Sequence, residues 1–177
     1  MKTVLLSIAI AVTFASCQKD KKQNSETATL EFQTKTYEKK TALPCKTAVC
    51  AEVKIVVPEV SNVPVVADSI NKKIFNTVRG IVYFGEKPSD GKTYEEVMAA
   101  FIDSYDKLKE EYADERPGWE AKVEASVAYT SDKILNIKLH NYTFTGGAHG
   151  YDGNRSLIFD KATGKSLEKN DILKDTI

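Results

Sequence analysis

His149 is one of only 2 histidines in this 177-residue chain, and it stands within Asn141-Tyr142-Thr143-Phe144-Thr145-Gly146-Gly147-Ala148-His149-Gly150-Tyr151-Asp152-Gly153. Imidazole is the side chain best suited to exchanging protons near neutral pH. Asp152 follows three residues later and is of the type that orients such a base. A glycan hydrolase with His149 and Asp152 as acid/base pair or metal ligands is therefore one chemistry the stretch allows. No Ser or Cys stands in an activating motif beside them, which leaves a Ser/His/Asp arrangement without its nucleophile. A glycosidase would need two facing carboxylates, and no spacing favours Asp152 with Asp160. His140, His149 and Asp152 make up the three ligands of a catalytic zinc, but His140 reads more simply as a polar residue on the wet face of a strand. No metal or other cofactor is expected.

Binding is the other chemistry. Asn141, Tyr142, Thr143, Thr145, His149, Tyr151 and Asp152 form an aromatic and hydrogen-bonding set around the exposed backbone of Gly146 and Gly147. Flat rings stack on sugars or on an inserted protein loop, and polar groups specify what is bound. Glycine stands where the backbone takes a positive φ or where something must approach closely, so the glycines predict a tight bulged turn. Two readings stay open for the stretch: a ligand site, or a plain turn with His149 satisfied by a backbone carbonyl.

Strands must carry this turn. Trp119, Ala121, Val123, Ala125, Val127 and Tyr129 alternate with polar residues, the pattern of an antiparallel strand with one buried face. Ser131-Asp132-Lys133 predicts a hairpin, and Leu135, Ile137 and Leu139 return inward. Tyr142 and Phe144 then fall out of phase, which predicts a bulge near His140–Asn141. Arg155 to Phe159 forms the next strand, and Asp160 to Lys165 a hairpin with Gly164 in the left-handed region. Ser166 to Leu173 reads as a short strand and a helical turn.

Upstream, Leu30 to Leu43 and Ala51 to Val57 read as strands, ended by Pro44 and Pro58. Val63, Val66, Ile70, Ile74, Val78 and Ile81 mark a helix face, with Asn62 as N-cap and Pro64 in the first turn. Thr93 and Glu96 form a capping box for a second helix, whose stripe is Tyr94, Val97, Phe101, Tyr105, Leu108 and Tyr112. The expected fold is α+β: an antiparallel sheet with two helices packed on one face, in the order β-β-α-α-β-β-β.

The formal net charge is +0, so no global field draws the chain to nucleic acid. Lys2 precedes an apolar run from Val4 to Phe14 that ends in Ala15-Ser16-Cys17. This is a signal-peptide pattern over residues 1–16, with Cys17 placed like the lipidated cysteine of bacterial lipoproteins. Residues 17–29 read as a flexible stalk. Gln18-Lys19-Asp20 is similar to a signal for the outer face of the outer membrane, and a solvated linker is the other reading. Cys45 and Cys50 predict a disulfide closing a short loop in an exported chain.

Tyr142-x-x-x-Gly146-Gly147-Ala148-His149-Gly150, with Phe159-Asp160-x-x-Thr163-Gly164-Lys165 and Asn170-Asp171-Ile172-Leu173, resembles the PdaC/RsiV-like extracytoplasmic family, a domain of unknown function. The resemblance covers residues 30–177 and implies an envelope module that binds something, with no catalytic residues to carry over. Family members continue past the Asp-Ile-Leu segment with a further helix and strands, so it also implies that a C-terminal continuation is missing. The expected partners are cell-wall glycan or an envelope or extracellular protein such as lysozyme, with membrane attachment through Cys17.

Overall fold

A computed structural model describes residues 29–44, 50–112 and 117–173. The signal segment, Cys17, most of the stalk and Cys45 lie outside the described residues. Strands β1 (Phe32–Lys40) and β2 (Glu52–Val60) lead to helices α1 (Pro64–Arg79) and α2 (Tyr94–Glu111). Then come β3 (Glu120–Thr130), β4 (Ile134–Phe144), β5 (Tyr151–Asp160), β6 (Ser166–Leu167) and the short α3 (Lys169–Ile172). The six strands make one sheet in chain order. Among the described residues no helix is long and apolar enough to cross a membrane.

The α+β class and element order are as expected, and the sheet is mostly antiparallel. One pairing departs: β2 and β3 run parallel, from Glu52 opposite Glu120 to Val56 opposite Glu124. Both helices lie between these strands in sequence, and a long helical crossover is the connection that lets neighbouring strands run the same way. Alternation in β3 reads alike in either direction. β2 also runs on through Pro58, opposite Thr34. Its pairing with β3 has ended at Val56, so the missing N–H of Pro58 costs no bond to β3.

The core lies between one sheet face and the helices. Val53, Ile55, Val57, Ala121, Val123, Leu135, Ile137, Leu139 and Phe159 meet Ile70, Ile74 and Val78 of α1 and Val97, Phe101 and Tyr105 of α2. Burying one large apolar side chain contributes about 1.5–3 kcal/mol, which makes this face the main source of stability. The cap of α1 is not the expected one. Val63 occupies the N-cap position with no side-chain bond, and Pro64 starts the helix. Asn62 instead accepts from the Glu31 N–H at 2.9 Å and donates to the Thr29 carbonyl at 2.8 Å, pinning the chain ahead of β1. At α2, Thr93 Oγ1 accepts from the Glu96 N–H at 3.2 Å. The Glu96 carboxylate takes the N–H of Lys92 rather than that of Thr93, so only half of the capping box forms.

The bulge lies elsewhere too. β4 keeps its phase from Leu135 through Asn141, and Asn141 is fully buried. The register shifts in β3, between Val127 and Tyr129. Val127 and Tyr129, expected to be buried, are 37% and 58% exposed. The extra residue turns the far end of β3 out of the alternation that buries Ala121, Val123 and Ala125. Gly164 takes the left-handed conformation expected of it, at φ 70°. A Cβ there would come within 2.8 Å of the Val66 carbonyl, so glycine also lets the turn close on α1. Ser69 Oγ seals that approach by donating to the Gly164 carbonyl at 2.8 Å.

Candidate functional site

β4 and β5 form the hairpin that carries the glycine turn, with Tyr142 opposite Asp152 and Thr143 opposite Tyr151. Successive side chains on a strand point to opposite faces. The hairpin therefore sorts the expected site residues into two groups. His140, Tyr142, Asp152 and Asn154 face away from the helices. Asn141, Thr143, Tyr151, Gly153 and Arg155 share the face that the helices cover further along.

On the outer face, His140 Nε2 lies 2.9 Å from Asp152 Oδ2. A carboxylate accepts, so Nε2 carries the proton in this contact. His149 does not join them. Its Nδ1 lies 3.1 Å from the Gly150 carbonyl, to which it donates, at an exposed position in the turn. The expected pairing of His149 with Asp152 is thus replaced by His140 with Asp152. Among the described residues no group of three or more His, Cys, Asp or Glu is placed to hold a metal ion. Gly146 and Gly147 do take positive φ, 104° and 93°, as a tight turn requires. The Tyr142 ring packs over Gly150 so closely that a Cβ there would meet it at 2.5 Å.

The inner face is concave. A cleft of about 510 Å³ lies between the loop Gly80–Gly85 and the hairpin, where Asn141, Thr143, Thr145, Tyr151 and Arg155 line it. Beside it is a cleft of about 270 Å³ lined by Tyr105, Leu108, Trp119, Thr145, Gly146 and Gly147. Phe84 and Thr145 line both clefts. The Phe84 ring packs on Trp119 with centroids 4.4 Å apart, yet Phe84 stays 44% exposed. Of the expected site residues, Thr145, Gly146, Gly147 and Tyr151 border these clefts. Tyr142, His149 and Asp152 do not.

Asn141, one of the residues expected to bind, lies inward where a bulge was expected. It is the one buried polar residue among those described, and neither its Oδ1 nor its Nδ2 has a hydrogen-bond partner. An unpaired buried polar group costs about 1–3 kcal/mol, so such groups are rare and call for a reason. Gly153 makes room for it, since a Cβ on Gly153 would sit 2.9 Å from Asn141 Oδ1 and 3.1 Å from the Tyr151 ring. Ser89 Oγ and Asn136 Oδ1 also lack partners, but neither residue lines a described cleft. Unbroken alternation from Leu135 through Ile137 and Leu139 was the signal that places Asn141 inward. The same rule, run back from Phe159 through Leu157, places Arg155 on that face.

A third cleft, about 580 Å³, lies between β2, α1 and the start of α2 and includes Tyr37, Phe75 and Tyr94. Burial pushes the Tyr94 hydroxyl well above the usual tyrosine range, with Tyr37 and Glu59 adding to the shift. Several of its polar groups already serve the fold. Asn71 accepts from the Val60 N–H and donates to the Val60 carbonyl, and Thr93 caps α2. It offers no unpaired buried group comparable to Asn141.

These features define a class: an α+β domain with an antiparallel hairpin beside a helix-flanked concavity. Solved structures share the fold. A DUF3298 family protein from Pseudomonas aeruginosa PAO1 superposes with a TM-score of 0.57 at 23% identity, covering 82% of this chain and 58% of that one. A DUF3298 family member from Bacteroides fragilis NCTC 9343 gives 0.57 at 20% identity, with 82% and 61% covered. The chain thus spans about three fifths of these relatives' length. No curated protein matches the sequence. Residues 45–152 match the family described as Deacetylase PdaC, and the chain belongs to that family.

Proposed function

We propose that the chain is a lipid-anchored binding module of the bacterial cell envelope, and that it receives a glycan, foremost peptidoglycan, in the two clefts that meet at Phe84. The observation that carries this reading is the join itself. An aromatic hollow under Trp119 and a polar hollow at Asn141 share one exposed aromatic wall. Sugar rings have apolar faces and hydroxyl rims, and such a pair of surfaces suits both at once. Export and anchoring rest on Lys2, the run Val4–Phe14 and Cys17. A Cys45–Cys50 disulfide fits the same compartment, and the Thr41 N–H to Ala51 carbonyl bond at 2.9 Å already holds the ends of that loop together. For the alternative, a hydrolase, the expected pair of His149 and Asp152 is not assembled, since Asp152 partners His140.

The test is co-sedimentation of the soluble domain with insoluble peptidoglycan, run beside a pull-down on lysozyme. Wild type is expected in the peptidoglycan pellet, with Phe84→Ala largely lost from it. Capture by lysozyme alone, unaffected by Phe84→Ala, would overturn the reading. Cys17→Ser should move the full-length protein from the membrane to the soluble fraction.

A further inference from the structure

Taking the Phe84 site as the binding site, we propose that its polar cleft selects an acidic acylamino unit: an amide group read by Asn141 beside a carboxylate held by Arg155. A primary amide offers one acceptor and two donor hydrogens, and in Asn141 all are unused. The matching ligand group presents its own N–H and C=O together, as an acylated amine does. Among the described residues Arg155 is the only charged one lining the cleft, and it forms no ion pair with any of them. A guanidinium fork matches a carboxylate bidentately. Thr143, Thr145 and Tyr151 add hydroxyls that suit a polyol or a peptide backbone. Asn141 lines the cleft and its amide is closed to water in this form, so a ligand that engages it must displace what covers it.

Glycine at 153 is part of the same device. The left-handed glycines of this hairpin are Gly146 and Gly147; Gly153 is not among them, so its need is for space. The space it leaves is filled by the Asn141 amide and the edge of Tyr151. Any side chain at 153 would displace the two groups that face the proposed ligand.

Acidic N-acylated sugars and acylated amino acids both carry this chemistry, and titration calorimetry with small probes separates them. N-acetylmuramic acid should bind about tenfold or more tighter than N-acetylglucosamine, which lacks the carboxylate, a step typical of one charge-assisted contact. Arg155→Gln, at an exposed position, should remove that difference without unfolding the protein. Asn141→Leu should weaken both sugars while raising the melting temperature, because it replaces an unpaired buried amide with an apolar group of similar shape. Equal binding of the two sugars, or a lower melting temperature for Asn141→Leu with unchanged affinity, would overturn the inference. If Phe84→Ala still releases the protein from peptidoglycan in that case, the site itself stands. N-acetylalanine binding as tightly as N-acetylmuramic acid would assign the cleft to a peptide and overturn the glycan reading, leaving the chemistry intact. No binding by any probe or by peptidoglycan would bring down both.

Discussion

The two faces of the β4–β5 hairpin use their polar residues in opposite ways. Outside, His140 and Asp152 satisfy one another at 2.9 Å at exposed positions. Inside, Asn141 is sealed from water with both amide atoms unpaired, and Arg155 has no counter-charge among the described residues. Reactive residue types thus sit where solvent and neighbours already meet their needs. The unmet demand belongs to an asparagine and an arginine. A polar group in low dielectric that nothing satisfies is a stronger pointer to a ligand than an exposed imidazole.

The largest effect should come from the core under both faces. Leu139 is fully buried on the inner face, opposite Arg155, and Leu139→Ala should cost about 2–5 kcal/mol of stability in denaturant titrations. Because it ties the hairpin to the core, order on both faces should suffer together. Asn141→Leu probes the inner face alone and has the unusual sign. It should stabilise by about 1–3 kcal/mol while ligand is lost, where a buried asparagine that serves the fold would destabilise by a similar amount.

Gly153→Ala should destabilise by about 1–3 kcal/mol through crowding against Asn141 and Tyr151, and should weaken binding with it. Asp152→Asn probes the outer face and should change stability by less than about 1 kcal/mol, since an exposed ion pair contributes little, and leave binding intact. The smallest effect lies at the turn that ends β5. The Thr163 hydroxyl and N–H donate to Asp160 and hold its carboxyl below the usual aspartate range. A depressed folded pKa contributes stability above the unfolded pKa, and that stability is lost as pH falls through the folded value. Asp160→Asn should therefore flatten the acid limb of the stability profile and leave neutral-pH binding alone.

Much of the fold was legible in the sequence because hydrophobic period and turn chemistry are local. The stripes of α1 and α2 and the left-handed Gly164 appear where their residues place them, except that Val63 and Ile81 flank α1 and Tyr112, at the C-cap of α2, is 46% exposed. The parallel β2–β3 pairing was not legible, since it is set by the route of the chain between strands and leaves no local mark. Of the candidate site, the glycine turn and Asn141 were legible as residues, but a bulge expected at His140–Asn141 left the inward direction of the asparagine unread. The extra residue lies across the hairpin, in β3, where Val127 and Tyr129 spoil an otherwise regular alternation. Phe84 could not be singled out at all, because its place between the clefts comes from packing on Trp119, which lies far along the chain and meets it only in the fold.

Peptidoglycan co-sedimentation of Phe84→Ala and His149→Ala, run side by side on the soluble domain, is the most direct test of whether the recessed face is the one that binds. The account predicts that Phe84→Ala stays in the supernatant while His149→Ala pellets like wild type. The reverse result, with His149→Ala released and Phe84→Ala retained, would place the ligand on the exposed corner and contradict it.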